Sequence, residues 1–123
     1  MNERFRFVDA ATLAAELGSA APPRLVDVRE PAAFELGHIP RSLHVPVHDL
    51  GARRGELPSS LAAPLVLVGD DRRRTLAAAR FLEIAGFGDV RVLEGGIAAW
   101  DGALESGAPA PRTRPGPQLR DLP

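Results

Sequence analysis

At 123 residues, with 45% hydrophobic and 25% charged side chains, the chain has an ordinary globular composition and room for one core. A formal net charge of -1 supplies no global field that would draw it to nucleic acid or to an anionic membrane, so neither is expected as a partner. It contains no cysteine, which excludes disulfides, thiolate metal sites, persulfides and redox relays built from its own residues.

The opening stretch MNERFRFVD lacks the apolar core of a signal peptide. No later segment approaches the roughly 18 apolar residues that span a bilayer, so a soluble, cytoplasmic protein is expected. Asp9 is placed to cap a first helix whose apolar positions Ala10, Leu13, Ala14 and Leu17 share one face, and Gly18 is placed to stop it. A loop over Ser19–Pro23 follows, then an apolar strand over Leu25–Val28. Pro31 suits the first turn of a short helix carrying Ala33, Phe34 and Leu36, which Gly37 ends. Leu43–Val45 reads as another short strand, closed by Pro46, and His48–Ser60 as an irregular connection with room for one helical turn.

The most informative stretch is LVLVGDDRRRT, residues 65–75. Leu65–Val68 reads as a strand buried on both faces, Gly69–Arg74 as a polar loop, and Thr75 as the opening of an amphipathic helix to Ala85 with apolar positions Ala78, Phe81, Leu82 and Ala85. A loop between a strand end and a helix N-terminus gathers backbone N–H groups, which makes it a natural cradle for an anion. Val90–Leu93 is strand-like, and Gly95 and Gly96 lead into a last helix holding Ile97, Ala98 and Trp100. Those two glycines make no nucleotide fingerprint, and Trp100 is expected to anchor the last helix in the core. From Ser106 the composition turns to GAPAPRTRPGPQLRDLP, read as a proline- and arginine-rich tail after a domain over residues 1–105. Short strands alternating with helices predict an α/β domain with a mostly parallel sheet.

Three segments together resemble the rhodanese-like family of sulfurtransferase domains: LVDVREPAAFELGHIPRSLHVPV (25–47), the loop and helix over 65–86, and VRVLEGGIAAW (90–100). They fall in one unbroken order over about residues 5–105. The resemblance implies a five-stranded, mostly parallel sheet with helices on both faces and an active-site loop at the carboxyl end of the fourth strand, where open α/β sheets place their sites. In active members a cysteine begins that loop, accepts sulfur from thiosulfate or a related donor as a persulfide, and passes it to a thiophilic acceptor. Here the matching position is Gly69, and the basic residue five positions on is Arg74. The six-residue spacing is similar to that of the sulfurtransferases rather than the related phosphatases, whose loop is one residue longer.

A sulfur carrier needs a soft nucleophile that attacks and is later displaced, which glycine does not supply. Asp70 and Asp71 are hard carboxylates whose charge repels thiosulfate. Arg72, Arg73 and Arg74 either clamp an oxyanion with the loop N–H groups and Thr75, or are neutralised by Asp70 and Asp71 in a solvated loop. Asp27, Arg29 and Glu35 occupy the family's charged turn and following helix, either supporting the loop or forming an internal ion pair that fixes the turn. His38 and His44 match signature positions of that family, and Pro46 between His44 and His48 breaks any helical pairing, so neither a metal site nor a cofactor is expected. The leading expectation is a non-catalytic binding, regulatory or scaffolding module, with a protein or a small oxyanion at the 69–75 loop. The alternatives are a sulfurtransferase that uses a partner's cysteine or the Asp70 carboxylate, and a structural remnant.

Overall fold

The run Leu65–Val68 forms a strand, β4, and none of its four side chains is exposed to solvent. Such a run has no polar face because the strand alternates between two cores. Leu65 and Leu67 pack with Ala78, Ala79 and Leu82 on one side of the sheet, and Val66 and Val68 with Leu13 and Ile39 on the other. The neighbouring strands obey the same two-residue period: Val26, Val90 and Val92 join the first cluster, Leu25 and Leu93 the second.

The computed structural model describes residues 5–109. In chain order the elements are β1 (Arg6–Val8), α1 (Ala10–Leu17), β2 (Arg24–Asp27), α2 (Pro31–Leu36), β3 (Leu43–His44), β4, α3 (Arg72–Ile84) and β5 (Val90–Leu93). Short 3-10 turns cover Val47–Asp49, Arg54–Glu56 and Gly96–Ala99. The five strands form one sheet in the order β1-β5-β4-β2-β3, parallel at every pairing. The chain leaves β2 toward one edge and β4 toward the other, so loops diverge at the carboxyl ends of the two central strands and open a crevice there.

Helix α1 begins where its sequence says, with the Asp9 carboxylate accepting from Thr12 N–H at 2.7 Å. Helix α3 departs from the sequence reading. It starts at Arg72 rather than Thr75, because the Asp71 carboxylate accepts from Arg74 N–H at 3.1 Å and caps the helix three residues earlier. Its buried positions are Thr75, Ala78, Ala79 and Leu82, whereas Phe81 is part-exposed at 38%. The earlier start adds an almost full turn below the apolar stripe and puts Thr75 on the buried face. The last expected helix is a single 3-10 turn over Gly96–Ala99, and Trp100 follows it only partly buried, packed against the α1-side cluster.

Strand β1 was not read as a separate element from the sequence; it pairs at the edge with β5, Phe7 opposite Val92. The other end of the described chain is tied to α2: Glu105 and His38 exchange backbone hydrogen bonds of 2.8 Å, and Gly107 N–H donates to Glu35 O. The tail beyond residue 109 lies outside the described residues. No helix among those residues is long and apolar enough to cross a membrane.

Candidate functional site

Beyond the end of β4 the backbone of Gly69 is buried, and its carbonyl accepts from Ile97 N–H at 2.8 Å. That contact brings the turn after β5 against the turn after β4. It is possible because Gly95 and Gly96 hold φ values of 78° and 66°, and because a Cβ on Gly96 would sit 2.5 Å from Gly69 O. Phe7 from β1, Val92 and Leu93 from β5, Thr75 from α3 and residues 69–72 enclose a small pocket of about 150 Å³.

Gly69 has ordinary backbone geometry, so what matters there is space. A Cβ on Gly69 would overlap Thr75 Oγ1 and lie 3.1 Å from Thr75 Cβ and 3.3 Å from its Cγ2. Thr75 is 4% exposed and its hydroxyl donates to Asp71 O at 2.8 Å, one turn back along α3. The volume into which a residue-69 side chain would project is therefore filled by Thr75.

The charges around this pocket are arranged by the helix cap. Asp71 turns its carboxylate onto the N-terminus of α3, where an anion would otherwise meet free N–H groups. Asp70, Arg73 and Arg74 are exposed, with Arg73 and Arg74 in the first turn of α3 and not in a loop. Arg72 lies over the Phe7 ring, 4.9 Å from its centroid, a cation–π contact that anchors the helix start to the edge strand.

A family model described as the rhodanese-like domain matches residues 9–103 of this chain. The chain belongs to the rhodanese-like domain family. It is 41% identical over 76 residues to a thiosulfate sulfurtransferase of Pseudomonas syringae, covering 62% of this chain and 70% of that protein. A sulfurtransferase of Allochromatium vinosum is 33% identical over 93 residues, covering 76% and 85%. Among solved structures, the Alr3790 protein from Anabaena sp. superposes with a TM-score of 0.73 at 31% identity, covering 80% of this chain and 82% of that one. A rhodanese-like domain protein from Staphylococcus aureus shares the fold with a TM-score of 0.76 at 24% identity, covering 85% and 100%.

The charged turn of this rhodanese-like domain is an internal ion pair. Asp27 is fully buried, and Arg29 meets it as a fork, with Nε 3.0 Å from Oδ1 and Nη2 2.8 Å from Oδ2. The remaining guanidinium hydrogens reach Ala33 O and Gly37 O, closing the β2–α2 turn around the arginine. Asp27 bonds back to Arg29 and not to residues 69–75, and the Glu35 side chain stands exposed on α2. His38 and His44 sandwich the buried Phe34, with ring centroids 3.7 and 4.2 Å away. Their ring nitrogens meet Phe34 O and Arg29 O at 2.8 and 2.9 Å, so both imidazoles serve the packing of α2.

Phe7 and Gly96 escaped the sequence reading of the site, and the packing role of Thr75, which that reading placed among the anion-binding candidates, escaped it too. Phe7 could have been found from the alternation FRFV, in which Phe5 and Phe7 flank Arg6. Gly96 was read as leading into the last helix, and nothing local points to its contact with Gly69. Thr75 was seen as a helix start; that its side chain fills the space at Gly69 depends on where α3 begins.

Proposed function

We propose that this rhodanese-like domain does not transfer sulfur and serves as a binding or regulatory module whose contact surface is the rim of residues 69–75. The carrying observation is the pairing of Gly69 with Thr75: the nucleophile's position holds no side chain, and its space is occupied by a buried, hydrogen-bonded threonine. Catalysis of sulfur transfer needs a thiolate at that place to form and then surrender an S–S bond. Asp70 at the pocket and Arg73 and Arg74 in the adjoining first turn of α3 stand exposed and present charges of both signs, which suits a polar protein surface. An oxyanion in the same place competes with the Asp71 carboxylate for the α3 N-terminus, so a protein contact is the better-supported use of the loop. The purified chain is therefore expected to give no thiosulfate-to-cyanide turnover above that of a loop variant, and clear turnover would sink the proposal.

A second reading is favoured by the relatives' names. The chain resembles thiosulfate sulfurtransferases, so it also fits a transfer in which a partner protein supplies the cysteine, or the Asp70 carboxylate attacks. Turnover that appears only on adding a cysteine-bearing partner would select the first version; turnover lost in Asp70→Asn would select the second.

A further inference from the structure

On the α1 side of the sheet, at the amino end of β2 and so away from the Gly69 pocket, lies a cleft of about 400 Å³. Its walls are apolar: Leu17 from the last turn of α1, Pro23, Ile39, Pro40 and the ring of Trp100. The polar side chains lining it are Arg24 and Arg41, and no acidic residue does. Neither guanidinium makes a hydrogen bond or ion pair among the described residues, in contrast to Arg29, Arg53 and Arg91, each of which has a carboxylate partner. Arg41 also holds a left-handed backbone, φ 69°, the only non-glycine residue described that does so.

Small-molecule sites take this form, a mostly apolar concavity with a few polar groups that fix orientation. From these features we infer that the cleft binds a small amphiphilic carboxylate, its alkyl or aryl body against Trp100 and Ile39 and its head between Arg24 and Arg41. The charge complementarity selects the head group: two guanidinium forks with no partner among the described residues match a carboxylate, gain less from a neutral alcohol, which offers a single uncharged acceptor, and repel an ammonium. Both arginines line the cleft yet are exposed to solvent, which lets their aliphatic stems add to the apolar wall while their heads remain hydrated. This site is independent of the Gly69 pocket and stands whether or not the domain transfers sulfur.

Trp100 is the only tryptophan in the chain, so its emission reports the cleft directly. Decanoate titrated into the full chain below its micelle concentration is expected to change that emission saturably. Decanol should bind at least about tenfold more weakly, as loss of charge-assisted hydrogen bonds implies. In the Arg24→Glu/Arg41→Glu double variant, two carboxylates repel the head group, so decanoate affinity should fall below that of decanol while decanol affinity holds. Ala14→Phe, which fills the cleft from an exposed position on α1, should weaken both ligands with the far-ultraviolet circular dichroism unchanged. Equal affinity for decanoate and decanol, or decanoate binding indifferent to both variants, overturns the inference. A cleft already filled by the chain's own residues 110–123 leaves Trp100 insensitive to decanoate, and that result overturns it too.

Discussion

Introducing a thiol by Gly69→Cys alone should destabilise the domain, because the new side chain and Thr75 need the same space. The Cβ would overlap Thr75 Oγ1 and stand 3.1 Å from Thr75 Cβ, against an ordinary carbon–carbon contact of about 3.5–4.0 Å. Turning Thr75 to another rotamer moves the hydroxyl away but leaves that Cβ–Cβ distance, so the start of α3 must also shift by a few tenths of an ångström. The rotation gives up the 2.8 Å bond to Asp71 O, a loss of about 1 kcal/mol. Overpacking adds ~1–3 kcal/mol, for roughly 2–4 kcal/mol in all. For a domain of this size that lowers Tm by roughly 10–25 °C. Adding Thr75→Ala removes the overlap and leaves only the tight Cβ–Cβ contact. The double variant should then recover most of the loss, with a favourable coupling of about 1–3 kcal/mol in a double-mutant cycle. Urea unfolding followed by Trp100 fluorescence measures all four species, and thiol titration shows whether the introduced sulfur is accessible. A single variant within about 2 °C of the parent, or additive behaviour across the cycle, would refute the steric argument.

Four further outcomes are expected. Asp27→Ala strands a buried guanidinium and should lower unfolding free energy by ~3–5 kcal/mol, whereas Asp27→Leu with Arg29→Met should restore much of it; urea melts decide. Gly96→Ala puts a Cβ 2.5 Å from Gly69 O in a left-handed backbone, and ~1–3 kcal/mol should be lost; a stability equal to the parent's contradicts the close approach. Asp71→Ala should weaken the start of α3 by about 1 kcal/mol and free its N-terminus, so calorimetric titration with sulfate should give tighter binding than in the parent; unchanged binding counts against the cap as the competitor. Arg91, hydrogen-bonded at 2.6 Å, holds the Glu16 carboxyl below its ordinary value of 4.5. A folded value below the unfolded one means that the pair stabilises above about pH 4.5 and that this contribution is lost as pH falls through the lower folded value. Glu16→Gln should therefore cost stability at pH 7 and flatten the acid limb of the Tm profile; a parallel offset at all pH values would contradict it.

Much of the framework was legible because local rules and tertiary packing agreed. The unbroken apolar run of β4 has that composition because both its faces are covered, and Asp9 caps α1 with no help from the rest of the chain. Where they competed, the sequence reading erred. Thr75 was taken as the start of α3 because three arginines read as loop, yet one carboxylate at Asp71 is enough to cap a helix whose solvated first turn tolerates three cations. Phe81 has the right spacing for the core, but α3 packs through Thr75, Ala78, Ala79 and Leu82, a stripe that leaves the ring at its margin.

The sequence by itself determined that this chain has no thiol and that a glycine stands at position 69, and through three motifs in order it determined the family. Only the tertiary structure decided that the vacant position is also closed. Whether the Thr75 side chain meets Gly69 is fixed by the helical turn that Asp71 starts, and whether Gly96 can lie against the Gly69 carbonyl is fixed by the parallel pairing of β4 with β5. The cleft between Arg24 and Arg41 has the same origin, since its walls come from segments far apart in the chain. Residue identity dictates what chemistry is available, and the distance between side chains brought together by packing dictates whether there is room for it.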